Sequence, residues 1–159
     1  MGILSDFVVA DRSEAAAVAD TVRRDRWPSL ELKGFTHLEV GLLHFALTGA
    51  DPDVPVSPPR FVKNPFTKRE MPVTVGTAYV DGFTRLQDRG EAWVYEVPLS
   101  LVAELADTAS PKEVAIRWAA SEELRGARPA DLEAILIQLQ RLARLAIEQN
   151  KSLLLWTSL

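Results

Sequence analysis

Three leucines and a tryptophan, in the run Ser152-Leu153-Leu154-Leu155-Trp156-Thr157, follow directly on a capped amphipathic segment extending from about Pro129 to Asn150. A stretch so apolar, with no charge after Lys151, has to be buried, because an exposed and uncharged strand is an aggregation template. It predicts a strand slotted inside a sheet. The helical segment before it carries Leu132, Ile135, Leu136, Leu139, Leu142, Ala143 and Ala146 on one stripe, with Arg141, Arg144 and Glu148 opposite. Ile137 falls among those charges, and with Leu145 nearby it is a candidate contact for a partner or for a second copy of the chain.

A length of 159 residues suits a single domain spanning 1–159, long enough to bury roughly 70% of the surface its unfolded form exposes. Its lack of cysteine excludes disulfides, thiol catalysis and cysteine-ligated zinc or iron–sulfur centres. The net charge of −4 opposes general attraction to nucleic acid or to anionic membranes. Met1-Gly2-Ile3-Leu4-Ser5-Asp6 has no basic n-region, and no apolar run reaches about 18 residues. A cytoplasmic protein with no membrane partner is expected.

Phe7-Val8-Val9-Ala10 reads as a short strand. Ser13 then offers an N-cap to an Ala-rich helix through Val18 and Val22, whose end the cations Arg23, Arg24 and Arg26 would complement as a solvated cluster. Thr36 and Glu39 form a capping box, and Gly49 stands where a C′ glycine belongs, so a helix runs from His37 to Thr48. Val40, Leu43, Leu47, Leu38, Leu42 and Phe45 cover most of its circumference, which makes it central. The one stripe left over is His37, Gly41, His44 and Thr48.

That stripe holds both histidines of the chain, with a glycine notch between them. The notch admits either a ligand or another backbone. Histidine is the side chain whose unperturbed pKa suits acid/base work near neutrality, so His37 and His44, with Glu39 beside them, are the only catalytic candidates. Gly41 and Thr48 would be ligand contacts. Metal ligation is disfavoured: a spacing of seven puts the two backbones roughly 10 Å apart, whereas helical zinc pairs are spaced by four. The alternative is a hydrogen-bonded core histidine, with Gly41 serving close packing.

Six of the ten prolines fall between residues 51 and 72, an extended connection. Within it Arg60-Phe61-Val62-Lys63-Asn64-Pro65-Phe66-Thr67-Lys68-Arg69 carries four cations and no acid, and Asn64-Pro65 opens a turn, so a small basic hairpin is expected. Its Asn-Pro-Phe-Thr piece resembles the arm tips of bacterial histone-like proteins, which wedge into the DNA minor groove, but the glycine that follows the threonine there is Lys68 here. Beyond it, Val73–Val80, Phe83–Gln87 and Ala92–Val97 read as three strands broken by Asp81-Gly82 and Asp88-Arg89-Gly90. Trp93 and Tyr95 share one face of the third, with Val94 and Val97 assigned to the other. Helices over Leu101–Ala106 and from Pro111 to about Arg125 complete the reading. The whole is α+β: a mixed, mostly antiparallel sheet with helices packed mainly on one face and the C-terminal strand within the sheet.

Leu30-Glu31-Leu32 and Gly41-Leu42-Leu43-His44-Phe45-Ala46-Leu47-Thr48-Gly49 resemble the corresponding segment of the YfbM-like family of small bacterial proteins of unassigned function. The resemblance implies the fold plan and a bacterial origin, and places His44 in a recurring structural motif; it brings no reaction. No nucleophile–base pair, phosphate loop, metal-ligand spacing or cofactor fingerprint is present in the sequence. These absences favour a non-enzymatic interaction protein of the adaptor or immunity type, binding another protein or itself as a homodimer. The alternatives are a small-molecule binder or hydrolytic enzyme using a His37/His44 cleft, and a nucleic-acid binder acting through Arg60, Lys63, Lys68 and Arg69.

Overall fold

Strand β7, Ser152–Ser158, is the middle of a five-stranded sheet in the computed structural model, which describes residues 2–159. It pairs with β1 (Leu4–Ala10) on one side and β6 (Ala92–Glu96) on the other, so neither of its edges meets solvent. β2 (Ser29–Lys33) and β5 (Thr84–Asp88) close the flanks in the order β2-β1-β7-β6-β5, with every neighbouring pair antiparallel. The register sets Phe7 opposite Leu155 and Val8 opposite Leu154. Period two then sends Leu153 and Leu155 to one face and Leu154 and Trp156 to the other. Both faces are covered, which is why the strand reads as an unbroken apolar run rather than an alternation.

On the first face lie α2 (His37–Thr48), α3 (Val75–Asp81), α4 (Leu99–Asp107), α5 (Pro111–Ala119) and α6 (Pro129–Glu148). α6 buries Leu132, Leu136, Leu139, Leu142, Ala143 and Ala146, the stripe its periodicity predicts. Trp118 of α5 donates its indole N–H to the carbonyl of Glu39, 3.0 Å away, fixing α5 to α2. The opposite face carries only the short α1 (Ala15–Asp20) and Trp27, packed on Val8, Val94 and Leu154. β3 (Phe61–Lys63) and β4 (Glu70–Pro72) form a separate two-stranded hairpin.

Four local expectations are corrected. Residues 75–81 are helical, not a strand: Thr74 caps them by accepting from the N–H of Thr77 (3.2 Å), and packing on α2 overrides the β-branched composition. Asp81-Gly82 consequently ends a helix, Gly82 donating back to Ala78 and Tyr79, and does not turn a hairpin. α5 stops at Ala119, where Ser121 donates its hydroxyl to the carbonyl of Trp118 and competes with a further turn. Val97 joins the helix-side core with Tyr95 rather than Val94, as the parity of its position requires.

The arginine cluster after α1 is also corrected. Arg24 is buried at 6% exposure, donating to Asp6 Oδ2 (2.8 Å) and to the carbonyl of Val18 (3.1 Å) while its guanidinium lies 3.5 Å from the centre of the Trp156 ring. With Asp6 it forms a structural ion pair on the α1 face of the sheet. Burial outweighs the attraction between the partners, raising the Asp6 carboxyl above its usual range and lowering the Arg24 guanidinium below its own.

Candidate functional site

α2 forms as its capping signals require. Thr36 accepts from the N–H of Leu38 (3.1 Å), Glu39 accepts from the N–H of Thr36 (2.7 Å), and Gly49 closes the helix at φ 73°. The stripe His37, Gly41, His44 and Thr48 lies along this helix, but α3 covers its middle. A Cβ on Gly41 would lie 2.5 Å from Val80 Cγ2 and 3.6 Å from Phe83 Cε1, so the notch is filled by protein and admits no ligand. Its glycine is there for close helix packing.

The histidines are therefore separated. His44 stacks on Tyr79, with ring centres 4.2 Å apart and planes 9° from parallel, and its Nδ1 sits 2.7 Å from Glu104 Oε2 on α4. Tyr79 is half-buried, and its hydroxyl is enclosed next to Ser100 without a partner at hydrogen-bonding geometry. Burial raises its pKa above the ordinary phenol value. His44 is in the lining of none of the four hollows at the α2 ends, the Arg24 cluster and the α2–α3 seam. Thr48 is exposed and spends its hydroxyl on the carbonyl of His44, one turn back. With the Gly41 notch closed by Val80 and Phe83, the surface between the two imidazoles is protein, and each ring packs against its own tyrosine.

His37, the first residue of α2, faces a different place. Its ring stacks on Tyr95 of β6 at 4.4 Å and 22°, and approaches Phe83 at 6.2 Å. Together with Trp93, Arg85 and Thr157 it lines a cleft of about 490 Å³ where the first turn of α2 meets the end of the sheet. Burial lowers the His37 pKa; Glu39 and Asp81 pull against that shift, and Arg85 adds to it. Burial also raises the pKa of Tyr95. No three His, Asp or Glu side chains come together as a metal site among the described residues.

The basic segment forms the expected hairpin, and it projects. Val62 pairs with Met71 and Lys63 with Glu70. Asn64 Oδ1 accepts from the N–H groups of both Phe66 and Thr67 at 2.9 Å, and Lys68 takes the left-handed conformation at φ 60°, where glycine is the usual occupant. The root is stitched to residues 54–56 through Val56 N–H to Val73 O (3.0 Å) and Val75 N–H to Val54 O (2.8 Å). Every residue of β3 and β4 is exposed. Phe66 at the tip is 92% exposed, and Phe61, Val62 and Met71 are half or more exposed or nearly so. Arg60, Lys63, Lys68 and Arg69 make no ion pair among the described residues.

Beside the arm's root, at the C-terminal end of α2, a groove of about 460 Å³ runs between α2 and the end of α5. Leu42, Phe45 and Trp118 contribute its apolar lining, and Asp53, Glu122 and Glu123 its acids. Its single cation, Arg117, donates Nε–H to the carbonyl of Ala46 at 2.6 Å. Ile137 is half-exposed on α6, away from both hollows. Sequence reasoning missed Glu104, Tyr79, Trp118 and the acids of the groove as site neighbours, since each reaches its place only through the packing of α3, α4 and α5 on α2.

No protein-family model, curated protein or solved structure matches this chain. No helix among the described residues is long and apolar enough to cross a membrane.

Proposed function

We propose that this chain is a non-enzymatic interaction protein whose recognition element is the β3–β4 arm, and that the arm docks into the acidic groove of a second copy. The observation that carries the reading is Phe66, 92% exposed at the tip of a hairpin whose strands pair only with each other. A lone two-stranded hairpin is at best marginally stable in water, so an aromatic tip and an exposed Val62–Met71 pair gain by burial against a partner.

Charge selects the partner. Residues 60–72 hold four cations and one acid, a local charge of +3; removing this from the net −4 leaves −7 on the rest of the chain. The groove beside the arm root has an apolar lining for an aromatic ring and three carboxylates for the cations around it. A rise of about 3.3 Å per residue carries the turn that opens at Asn64 roughly 13 Å from Arg60, with Phe66 at its tip, far enough to reach a neighbouring molecule. Root and groove lie side by side, so two copies related by a two-fold axis can exchange arms reciprocally and close the assembly. The likeness of the α2 segment to YfbM-like proteins adds no reaction to this reading.

Sedimentation velocity over a concentration series tests it. A dimer that weakens as salt is raised and is lost in Phe66→Ser is the expected result. A monomer at every concentration overturns the self-docking. Salt-dependent retention on duplex DNA that disappears when Lys63 and Lys68 are neutralised would assign the arm to nucleic acid instead.

A further inference from the structure

The cleft at the opposite end of α2 has no part in the arm's docking, and its chemistry is of another kind. Its walls are aromatic: Trp93 and Tyr95 stand on the same face of β6, and His37 is already stacked on Tyr95 at 4.4 Å. Arg85, opposite Tyr95 on β5, is the one permanently charged side chain in the lining. Its guanidinium is half-exposed, pairs with the exposed Asp88 at 3.2 Å and lies close enough to the Tyr95 hydroxyl to offset part of the pKa rise that burial causes there, so it already sits at the cleft wall, and its surface ion pair opposes a ligand only weakly. Burial lowers the His37 pKa, so the cleft disfavours a second cation beside Arg85. A volume of about 490 Å³ is in the range that small-molecule sites occupy, which runs from about 300 to 1,000 Å³.

We propose that this cleft binds a small planar aromatic carboxylate, stacked against Trp93 beside the His37–Tyr95 pair with its carboxylate on the Arg85 guanidinium. Flat aromatic walls select a planar ligand by stacking, and a guanidinium offers a carboxylate two parallel N–H donors where an ammonium would offer a point charge. Nothing in this assignment requires a reaction; the cleft is a binding site.

Indole-3-carboxylate is a suitable probe, with indole-3-carboxamide as its uncharged counterpart, titrated into the full chain and followed by NMR. The chain has four tryptophans, and the Trp93 indole N–H is identified by its loss in Trp93→Phe. The expected result is a saturable shift of the Trp93 indole and His37 ring signals, with the other three indoles unmoved. Arg85→Gln should weaken the carboxylate about tenfold and leave the carboxamide nearly unchanged, as removal of one charge-assisted pair predicts. His44 ring signals report folding in every variant. Either of two results overturns the proposal: no Trp93 shift at millimolar probe in a folded chain, or equal weakening of carboxylate and carboxamide in Arg85→Gln.

Discussion

Gly41→Ala asks whether the glycine on the histidine stripe exists for packing. Two effects oppose each other. Alanine in a helix interior is favoured over glycine by about 1 kcal/mol, and α2 has regular caps at both ends, so an unobstructed site would gain that much. Here the added methyl would lie 2.5 Å from Val80 Cγ2. Val80 is β-branched and helical, with one strongly preferred χ1, and at 6% exposure it has no room to swing aside. Overpacking of this kind costs about 1–3 kcal/mol, so the net change should be a loss of about 1 kcal/mol, or a Tm lower by about 2–4 °C. Val80→Ala removes the obstacle, and in that background Gly41→Ala should stabilise by about 1 kcal/mol, a coupling of about 2 kcal/mol in a double-mutant cycle. Urea unfolding followed by tryptophan fluorescence measures all four corners. Stabilisation by Gly41→Ala with Val80 in place, and no coupling, would refute the packing argument.

Other outcomes follow from the same structure. Because burial lowers the His37 pKa below its ordinary 6.5, the unfolded chain takes up that proton first as pH falls. The His37 contribution is thus constant above pH 6.5 and becomes destabilising below it; comparing urea midpoints at about pH 7.5 and about pH 5.5 should show a smaller drop in His37→Gln than in the parent chain. Asp6→Leu or Arg24→Met alone strands a buried charge and should cost about 3–5 kcal/mol, whereas the double substitution should recover most of it; full additivity in a double-mutant cycle would contradict the buried pair. Lys68→Gly relieves a left-handed residue at the arm tip, worth about 1–2 kcal/mol, and should slow hydrogen exchange at the Asn64 and Lys68 amides about tenfold; unchanged rates would count against the tip geometry.

The parts of the fold that could be read from the sequence are those where one residue's chemistry decides the backbone locally. Thr36, Glu39 and Gly49 bound α2 correctly because each satisfies or ends the helix's own hydrogen bonding. The leucine run placed β7 in the sheet because no other burial suits seven residues with apolar side chains on both faces. Residues 73–80 misled because valine and threonine prefer strands only weakly, and the apolar surface of α2 outbids that preference. Arg24 misled in a similar way: its neighbours Arg23 and Arg26 are exposed, and only the meeting of β1 with β7 supplies the carboxylate and the indole that bury it. For the candidate site, helical spacing puts His37, Gly41, His44 and Thr48 on one stripe, but what fills the notch depends on α3, whose helix is specified by packing on α2 and not by its own residues. The arm was legible because Asn64-Pro65 dictates a turn within hydrogen-bonding range of itself. Its groove was not, because Asp53, Glu122 and Glu123 lie some seventy residues apart in the chain and share a rim only after α5 packs on α2.

A chain with no cysteine of its own allows the central claim to be tested by disulfide trapping. Thr67→Cys places a thiol beside Phe66 at the arm tip, and Ala50→Cys places one in the lining of the acidic groove, each in a separate single-cysteine variant. Mixed and oxidised gently, the two variants should form a mixed disulfide dimer in clear excess over either self-linked product, with a yield that falls as salt is raised and falls again when Phe66→Ser accompanies Thr67→Cys. Statistical pairing, with no preference for the mixed dimer and no dependence on Phe66, would contradict arm-in-groove docking.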